Sequence, residues 1–414
     1  MKVALVYPSS YSFRRDYSWE VRWIYHGLGL LISATKEKGY DMDLIDMRRC
    51  VDWEDYTSRL KDYDVIGFSI MSVDKEMAQK AIHYAKIKCP NAKIIVGGTC
   101  PTIETEMWNT NSEVDYVLRS EGEISFPELL KKIENKEESP KIIQGVMPDV
   151  DKMPVIDRDL WEEEFPWGLR KWTGVAPFRT FLTSRACVYQ CRFCQPTAEM
   201  MFGRGKSRQR SVNNVIAEMK AVKEKYGMNS FMIHDDQFVH NKEWITEFVS
   251  KYKENFEPMP FIMQARANHM KDDELVKNLS SIGLSYVIVG LESGSNKILK
   301  YLRKGTTREM NIEAVATMRK YGVKLFANIM WCTPEETYED ALETHSMLQI
   351  IQPDHYSPTE YAPIPGSYLY DECKEKNLIL DESGNRYGGK NRIKGVDYER
   401  IRLLIQDSHK FLSR

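Results

Sequence analysis

The chain has 414 residues, of which 42% are hydrophobic and 29% charged, a composition typical of globular proteins that excludes extensive disorder. Its 58 lysines and arginines nearly balance 60 aspartates and glutamates, which leaves a formal charge of −2 and no electrostatic reason to expect a nucleic-acid partner. The length predicts two or three domains. No stretch approaches the ~18 apolar residues of a membrane helix, so no membrane partner is expected.

The first residues and the cysteines of the chain indicate whether the protein is secreted or stays in a reducing compartment. The apolar run in residues 1–8 is shorter than the core of a signal peptide and is interpreted as a buried strand. Eight cysteines are present, but a disulfide framework is not expected in a chain of this length without a signal peptide. We therefore expect a reduced, cytoplasmic protein in which clustered thiols bind metal.

Residues 1–140 alternate strand and helix patterns and are predicted to form the first domain. The predicted strands are 3–7, 40–46, 64–70, 94–96 and 115–118, the last of the series, and the clearest helices are 28–38, 74–88 and 124–133. Such alternation predicts a doubly wound, Rossmann-like parallel sheet with helices on both faces. In such sheets, ligands bind outside the carboxyl ends of the strands.

A second α/β series follows a proline-rich segment, 141–177, which is interpreted as a connector on the surface. Strands are predicted at 178–183, 230–234, 261–265, 286–291 and 324–331, each followed by a helix pattern. Repeated units of this kind predict a full or partial (β/α) barrel over 178–351. The mixed, polar remainder, 352–414, is predicted to be a small C-terminal cap on the barrel mouth.

Three cysteines, Cys187, Cys191 and Cys194, form a C-x3-C-x2-C pattern in the loop after the first barrel strand. Thiolates are the usual ligands of iron–sulfur clusters, and three of them leave one iron of a 4Fe–4S cluster open for another ligand. Two alternatives stay open. A zinc site would need a fourth ligand at short spacing, and the next histidine is His234. Ordinary core cysteines would need no common partner.

The cysteine loop and several later strand ends resemble the radical S-adenosylmethionine (SAM) enzymes. An aromatic residue directly before the third cysteine, here Phe193, is common in that family. The resemblance implies that SAM chelates the open iron and that one electron from the cluster cleaves it to a 5′-deoxyadenosyl radical. It also implies that SAM is bound by Phe193, Asp235, Asp236, Gln264, Arg266, Glu292 and Ser293.

Each of these residues also has a structural alternative. Asp235 and Asp236 could cap the following helix, and Glu292 could pair with a nearby cation. One segment departs from the family pattern, because Cys332 stands where relatives often carry the first glycine of G-x-P-x-E-T. Its thiol could face the substrate, or it could be a buried inert group, as free cysteines in protein cores usually are.

The first domain resembles the cobalamin-binding domain that precedes many radical SAM domains. The implied cobalamin-binding residues lie at the strand carboxyl ends and are Tyr7, Pro8, Ser9, Ser69, Met71, Ser72, Gly97, Gly98, Thr99, Glu121, Gly122 and Glu123. Glycines there would let the backbone approach a flat macrocycle. The sequence lacks the G-x-G-x-x-G fingerprint of NAD-binding sheets. It also lacks D-x-H-x-x-G, so base-off cobalamin without an axial histidine is expected. A purely structural domain is the alternative.

The two resemblances together imply a cobalamin-dependent radical SAM methyltransferase that moves a methyl group from methylcobalamin to an unactivated carbon. The expected partners are an electron donor and a protein, peptide or small-molecule substrate, with a glutamine of methyl-coenzyme M reductase as the preferred acceptor. No general acid or base is predicted, because the protein's task is to position reactants and exclude water. The alternatives are a cyclase or oxidative enzyme that uses cobalamin without methylation, and a non-catalytic iron–sulfur sensor or electron carrier.

Overall fold

The computed structural model describes residues 1–13, 24–161, 175–195, 207–382 and 390–412. It divides into two compact units, Met1–Arg170 and Lys171–Arg414. The segment predicted as a connector, 141–177, therefore falls partly within the first unit, and its residues 162–174 lie outside the described part of the chain. Among the described residues, no helix is both long and apolar enough to cross a bilayer.

The first unit is built on one parallel sheet. Its strands are β1 (Val3–Tyr7), β2 (Met42–Asp46), β3 (Val65–Ser69), β4 (Lys93–Gly97), β5 (Tyr116–Arg119) and β6 (Ile142–Gln144). They pair in the order β2-β1-β3-β4-β5-β6, and every pair is parallel. The helices between them are α1 (His26–Glu37), α2 (Trp53–Arg59), α3 (Lys75–Lys88), α4 (Thr99–Ile103), α5 (Thr105–Asn109) and α6 (Ser125–Glu134).

Helices cover both faces of this sheet, as the sequence predicts for a doubly wound fold. In β1, Val3 and Leu5 belong to a core shared with α1 and α6, whereas Ala4 and Val6 belong to a core shared with α2 and α3. Successive strand residues point to opposite faces, so β1 is buried on both sides. A continuous apolar run is the sequence pattern of such a strand, which explains why its bounds match the prediction.

The structure adds a sixth strand to the five that the sequence predicts for this sheet. The prediction that residues 115–118 form the last strand is wrong, because Ile142–Gln144 pairs with β5 in parallel. This edge strand has three residues, none of them fully buried, and therefore carries too little hydrophobic periodicity to be recognised. The chain after it still belongs to the first unit, since Ile156 and Trp161 lie in its core.

The second unit is built on another six-stranded parallel sheet, with the strand order β14-β13-β12-β11-β10-β7. This sequential order is that of a partial (β/α) barrel, as predicted. The strands in chain order are β7 (Phe178–Phe181), β8 (Ser184–Arg185), β9 (Arg208–Gln209), β10 (Ser230–Ile233), β11 (Phe261–Ala265), β12 (Leu284–Glu292), β13 (Lys324–Trp331) and β14 (His355–Glu360), of which β8 and β9 form a separate antiparallel pair.

Helices follow most of these strands. They are α7 (Val212–Tyr226), α8 (Lys242–Asn255), α9 (Ala267–Met270), α10 (Asp273–Ser280), α11 (Asn296–Tyr301), α12 (Arg308–Lys320), α13 (Tyr338–Ile351), α14 (Tyr368–Glu375) and α15 (Tyr398–Leu412). Their ends follow local signals in the sequence. The Ser211 hydroxyl accepts from Asn214 N at the start of α7, and Gly227 comes directly after its end. Such caps fix where each loop at a strand end stops.

Strand β14 extends the sheet beyond the predicted barrel boundary at residue 351. It pairs with β13 over six residues, inside the segment predicted to be a cap. Its sequence contains Pro358, which is tolerated because β14 is an edge strand, and it has one fully buried residue. The rest of the C-terminal segment contributes α14 and α15, and α15 packs on α13 and β14.

Candidate functional site

The residues predicted to bind the cluster and SAM come together at one edge of the second sheet. Strand β7 leads into the cysteine loop, and Asp235 and Asp236 follow β10. Arg266 follows β11, and Glu292 ends β12. Because these strands are neighbours and run parallel, their carboxyl ends lie along the same edge.

The three thiols of the loop differ in exposure. Cys191 is buried, Cys187 is partly exposed and Cys194 is exposed. Desolvation raises the pKa of the Cys187 thiol and raises that of Cys194 to about 12, with the other two thiols and Asp236 adding to the effect at Cys194. Cys194 is thus solvent-accessible and yet has a desolvated thiol. Metal binding must displace the protons of these thiols.

Thiols on one short loop are the donor set that an iron–sulfur cluster uses. In a 4Fe–4S cluster, each thiolate binds its own iron, so the sulfur atoms need not converge on one ion. Within the described ranges, no group of three Cys, His, Asp or Glu side chains is arranged to hold a single metal ion. The three free thiols of the loop are a donor set that fits a 4Fe–4S cluster with one iron open to a further ligand.

Arg266 contacts this loop directly. Its Nη1 donates to Cys191 Sγ at 3.1 Å, and its guanidinium carbon lies 3.8 Å from the centroid of the Tyr189 ring. The residue is only 3% exposed. The sequence predicts Arg266 as a SAM-binding residue, and the structure places one of its N–H groups on a cluster thiol. Tyr189 lies inside the C-x3-C spacing but belongs to no recognised motif.

A buried ion pair lies at the end of β12. Lys304 Nζ donates to Glu292 Oε1 at 2.9 Å, and both residues are buried. The same ammonium lies 5.7 Å from the centroid of the Phe193 ring. Glu292 thus pairs with a nearby cation, which was the structural alternative for this residue. Lys304 is a site residue that no sequence motif marks.

The two adjacent aspartates after β10 have different surroundings. Asp235 is fully buried, and its carboxylate accepts hydrogen bonds from Thr183 N at 2.6 Å, from Thr183 Oγ1 at 2.5 Å and from Ser184 Oγ at 2.6 Å. It therefore ties β10 to the start of the cysteine loop. Asp236 is exposed, and desolvation raises its pKa. Asp236 is thus the carboxylate of this pair that a ligand can reach.

The remaining two predicted SAM residues also differ. Ser293 is fully buried, and its hydroxyl lies 3.1 Å from Thr344 Oγ1 and accepts from Ser295 N at 3.0 Å. Gln264 is partly exposed near the end of β11. The structure therefore leaves Gln264 accessible, whereas the Ser293 hydroxyl holds the chain after β12 in place.

The predicted cobalamin residues lie along the corresponding edge of the first sheet, after β1, β3, β4 and β5. Five are buried, namely Tyr7, Pro8, Ser9, Glu121 and Glu123, and seven are partly exposed, namely Ser69, Met71, Ser72, Gly97, Gly98, Thr99 and Gly122. The strand order reverses between β1 and β3, where doubly wound sheets open a crevice for ligands. The accessible residues are mostly small, so a flat ligand could approach the backbone there.

Local packing at the carboxyl ends of these strands explains why position 98 is a glycine and how the Tyr7 ring is held. Gly98 has a φ of +95°, and a Cβ atom there would lie 2.9 Å from the backbone N and O of Ile70. The ring of Tyr7 stacks on Tyr25 at a centroid distance of 4.7 Å, and the Arg48 guanidinium carbon lies 5.0 Å from its centroid. Gly98 thus lets the loops after β3 and β4 approach, and Tyr7 is held by its neighbours.

Asp74 is a buried carboxylate in the loop after β3 that the sequence does not single out. Its Oδ1 accepts from Ser10 N at 2.6 Å, whereas Oδ2 has no hydrogen-bond partner. The residue is 1% exposed, and desolvation raises its pKa from 3.8 to about 6. The folded state therefore favours the protonated form of this acid more than the unfolded chain does.

This shift predicts a pH-dependent stability of the first unit. Because the folded-state pKa of Asp74 lies above the unfolded value, its contribution is fully present below about pH 4 and is lost as the pH rises through about 6. The shift of about two units corresponds to roughly 3 kcal/mol. We expect Asp74→Asn, which resembles the neutral acid, to flatten this dependence and to stabilise the unit near neutral pH.

Chemical denaturation of the wild type and Asp74→Asn between about pH 4.5 and about pH 7.5 checks this expectation, since the window spans the shifted pKa. Asp62→Asn, at an exposed position of the same unit, is the matched control and should keep the wild-type slope. A wild-type slope in Asp74→Asn would contradict the assignment.

Cys332 is fully buried in the core of the second unit, which is the position that the alternative of a buried thiol requires. Burial raises the pKa of this thiol well above its usual range. Its φ of +59° lies in the left-handed region, which explains why glycine is the residue expected there. The following turn is held by Glu336, whose Oε2 accepts from Thr333 N at 2.9 Å and whose pKa is raised to about 8 by burial.

Two family models match the chain. The model of the Radical SAM superfamily matches residues 181–348, and the model of the B12 binding domain matches residues 19–130. The first range contains the cysteine loop and β10 to β13, and the second contains β2 to β5 and the helices between them. The two matches fall in different compact units, in the order expected from the sequence.

Curated relatives match most of the chain. An uncharacterized methyltransferase of Pyrococcus horikoshii is 27% identical over 380 residues, which cover 87% of this chain and 81% of the relative. The anaerobic magnesium-protoporphyrin IX monomethyl ester cyclase of Cereibacter sphaeroides is 25% identical over 413 residues, which cover 92% of this chain and 65% of the relative.

The fold is also found among solved structures. The radical S-adenosylmethionine methyltransferase TsrM of Kitasatospora setae, with tryptophan substrate and a SAM analog bound, superposes with a TM-score of 0.67. The match covers 91% of this chain and 76% of TsrM at 17% sequence identity. At that identity the likeness establishes the shared fold of both units.

Proposed function

We propose that this chain, which carries a radical SAM domain and a B12-binding domain, is a cobalamin-dependent radical SAM methyltransferase that methylates an unactivated carbon of an amino-acid side chain in a protein. One observation carries the proposal. The same chain has a loop with three cysteines, which would leave one iron of a cluster open, and a B12-binding sheet with small residues at the carboxyl ends of its strands. Such an enzyme needs an external electron donor for the cluster.

Bound cobalamin would supply the methyl group, and the cluster with SAM would supply a 5′-deoxyadenosyl radical that removes hydrogen from the acceptor carbon. The residues of this chain position and shield them. Cys187, Cys191 and Cys194 would hold the cluster. Asp236 would hold the cationic amino group of SAM, since its side chain is exposed while its carboxylate is desolvated. A desolvated carboxylate attracts a cation more strongly than one in bulk water does.

The small, partly exposed residues after β3 and β4 would receive the corrin. Ser69, Gly97 and Gly98 offer backbone that a flat macrocycle can approach, and Gly98 cannot be replaced without a clash with Ile70. Base-off binding without an axial histidine is part of the proposal, because the histidine motif of other cobalamin proteins is missing from the sequence.

The acceptor is proposed on chemical grounds. TsrM is described with tryptophan as its substrate, which supports an amino-acid side chain as the class of acceptor for this fold. The specific acceptor that we propose is a glutamine of methyl-coenzyme M reductase. A side-chain carbon of that kind carries no acidic proton, so its methylation requires the radical chemistry that the cluster would initiate.

Transfer of isotope tests the proposal. The full chain is reconstituted with cobalamin and cluster, reduced, and given SAM labelled in its methyl group together with unmodified methyl-coenzyme M reductase. We expect one labelled methyl group on a glutamine-containing peptide, and we expect 5′-deoxyadenosine to accumulate in proportion to the methylated product. Production of 5′-deoxyadenosine without label in the protein would refute this acceptor, and label in no product would refute methyl transfer.

A second candidate is favoured by one observation, the similarity to the magnesium-protoporphyrin ester cyclase over 92% of this chain. A cyclase or other oxidative enzyme would form 5′-deoxyadenosine and change its substrate without incorporating the methyl label. The same isotope experiment, repeated with a magnesium-porphyrin ester, distinguishes the two candidates. Ring closure without label would establish the second.

A further inference from the structure

Arg266 donates a hydrogen bond to a thiol of the cysteine loop. The Nη1–Sγ distance to Cys191 is 3.1 Å, and the two residues are 75 positions apart in the sequence. Both are buried, with 3% of Arg266 and 9% of Cys191 exposed. A full positive charge is therefore held against one cluster ligand in a place where solvent screens it weakly.

The guanidinium is fixed from several sides. Its central carbon lies 3.8 Å from the centroid of the Tyr189 ring, and its Nε donates to Asn268 Oδ1 at 3.2 Å. Asn268 Nδ2 in turn donates to the Tyr189 hydroxyl at 3.2 Å, and that hydroxyl lies 2.6 Å from His269 Nε2. Residues of α9 and of the cysteine loop thus form one network around the arginine. A donor held in this way loses little freedom when it binds the thiolate.

The loop after α11 leaves room for the arginine. Gly305 has a φ of +68°, and a Cβ atom there would lie 3.4 Å from Arg266 Nη2. A side chain at this position would be strained by the backbone conformation, and its Cβ atom would be in van der Waals contact with the guanidinium. The backbone at Gly305 therefore lies close to the Arg266 guanidinium.

We infer that Arg266 is a positioning residue that raises the reduction potential of the cluster through its hydrogen bond to Cys191. Reduction adds one electron from an external donor to the cluster, no bond breaks, and the arginine keeps its proton. The reduced cluster carries more negative charge than the oxidised one, so a buried cation bonded to a ligand sulfur stabilises the reduced form more. This inference rests on the proposed function, because it requires the three thiols to hold a cluster.

The inference gives Arg266 a task that does not depend on SAM. A role in SAM binding would change the affinity for SAM and leave the potential of the SAM-free cluster unaltered. A redox titration of the reconstituted full chain without SAM, followed by electron paramagnetic resonance, therefore separates the two roles. Iron content measured on the same samples shows whether each variant carries the cluster.

We expect Arg266→Gln to shift the reduction equilibrium about tenfold toward the oxidised cluster, which is a potential about 59 mV lower for a one-electron couple. Arg266→Lys keeps the charge without the planar fork and should give a smaller shift in the same direction. Arg319→Gln is the matched control, because Arg319 lies at the end of α12 and its Nη2 donates to the backbone carbonyl of Gln352 at 2.7 Å. Its potential should equal that of the wild type.

An unchanged potential in Arg266→Gln with full iron content would overturn the inference. If Arg266→Gln fails to hold iron, Arg266→Lys decides, and a wild-type potential in that variant would likewise overturn it. Failure of the wild type itself to assemble a cluster would instead refute the proposed function.

Discussion

Cys191→Ala is expected to abolish both the cluster and SAM cleavage. Three thiols are the whole donor set of the loop, and losing one leaves two irons without a protein ligand. Changes to residues that merely orient a metal ligand cost about 10–100-fold, so losing a ligand should lower 5′-deoxyadenosine formation by more than about 100-fold. Iron analysis and chromatography of 5′-deoxyadenosine after anaerobic reconstitution measure both effects.

Cys50→Ala is the matched control for this prediction. Cys50 is also a buried free thiol, but it lies in the core of the first unit and belongs to no cysteine pattern. The variant should retain the iron content and SAM cleavage of the wild type. A full iron content in Cys191→Ala would contradict the assignment of the cluster to this loop.

Asp235→Ala is expected to destabilise the second unit by about 4 kcal/mol. The substitution leaves one backbone N–H and two hydroxyls, those of Thr183 and Ser184, buried without their acceptor. Each such group costs about 1–3 kcal/mol. Thermal or chemical unfolding of the full chain measures the loss, and the distorted loop start should also lower the iron content.

Two neighbouring substitutions sharpen this test. Asp235→Asn keeps one acceptor oxygen, and the hydroxyls can rotate to accept from its amide, so we expect a loss of only about 1 kcal/mol. Asp236→Ala removes an exposed carboxylate and should change the free energy of unfolding by about 0.5 kcal/mol or less. Equal stability of Asp235→Ala and Asp236→Ala would contradict the structural role of Asp235.

The parts of the fold that the sequence predicts are those with strong local patterns. Strand β1 is an apolar run buried on both faces, and helix α7 has a serine cap before it and a glycine after it. Strands β6 and β14 were missed because they are edge strands, whose existence depends on pairing with distant strands rather than on their own hydrophobic pattern.

The candidate site shows the same limit. The spacing of the three cysteines identifies the loop because those residues are adjacent in the chain. The contacts of Arg266 and Lys304 join residues that are 75 and 12 positions apart, and no local pattern encodes them. Adjacent Asp235 and Asp236 look equivalent in the sequence. Only the tertiary structure shows that Asp235 accepts hydrogen bonds from the protein, whereas the Asp236 side chain is exposed.

The most direct test of the central claim is a count of both cofactors on one chain. The protein is reconstituted anaerobically with iron, sulfide and cobalamin, freed of unbound material, and examined by iron analysis and UV–visible spectroscopy. We expect about four iron atoms and about one base-off cobalamin per chain, with the iron lost in Cys191→Ala while the corrin stays bound. Iron without corrin absorption would refute the cofactor role of the first unit, and an absence of iron would refute the central claim itself.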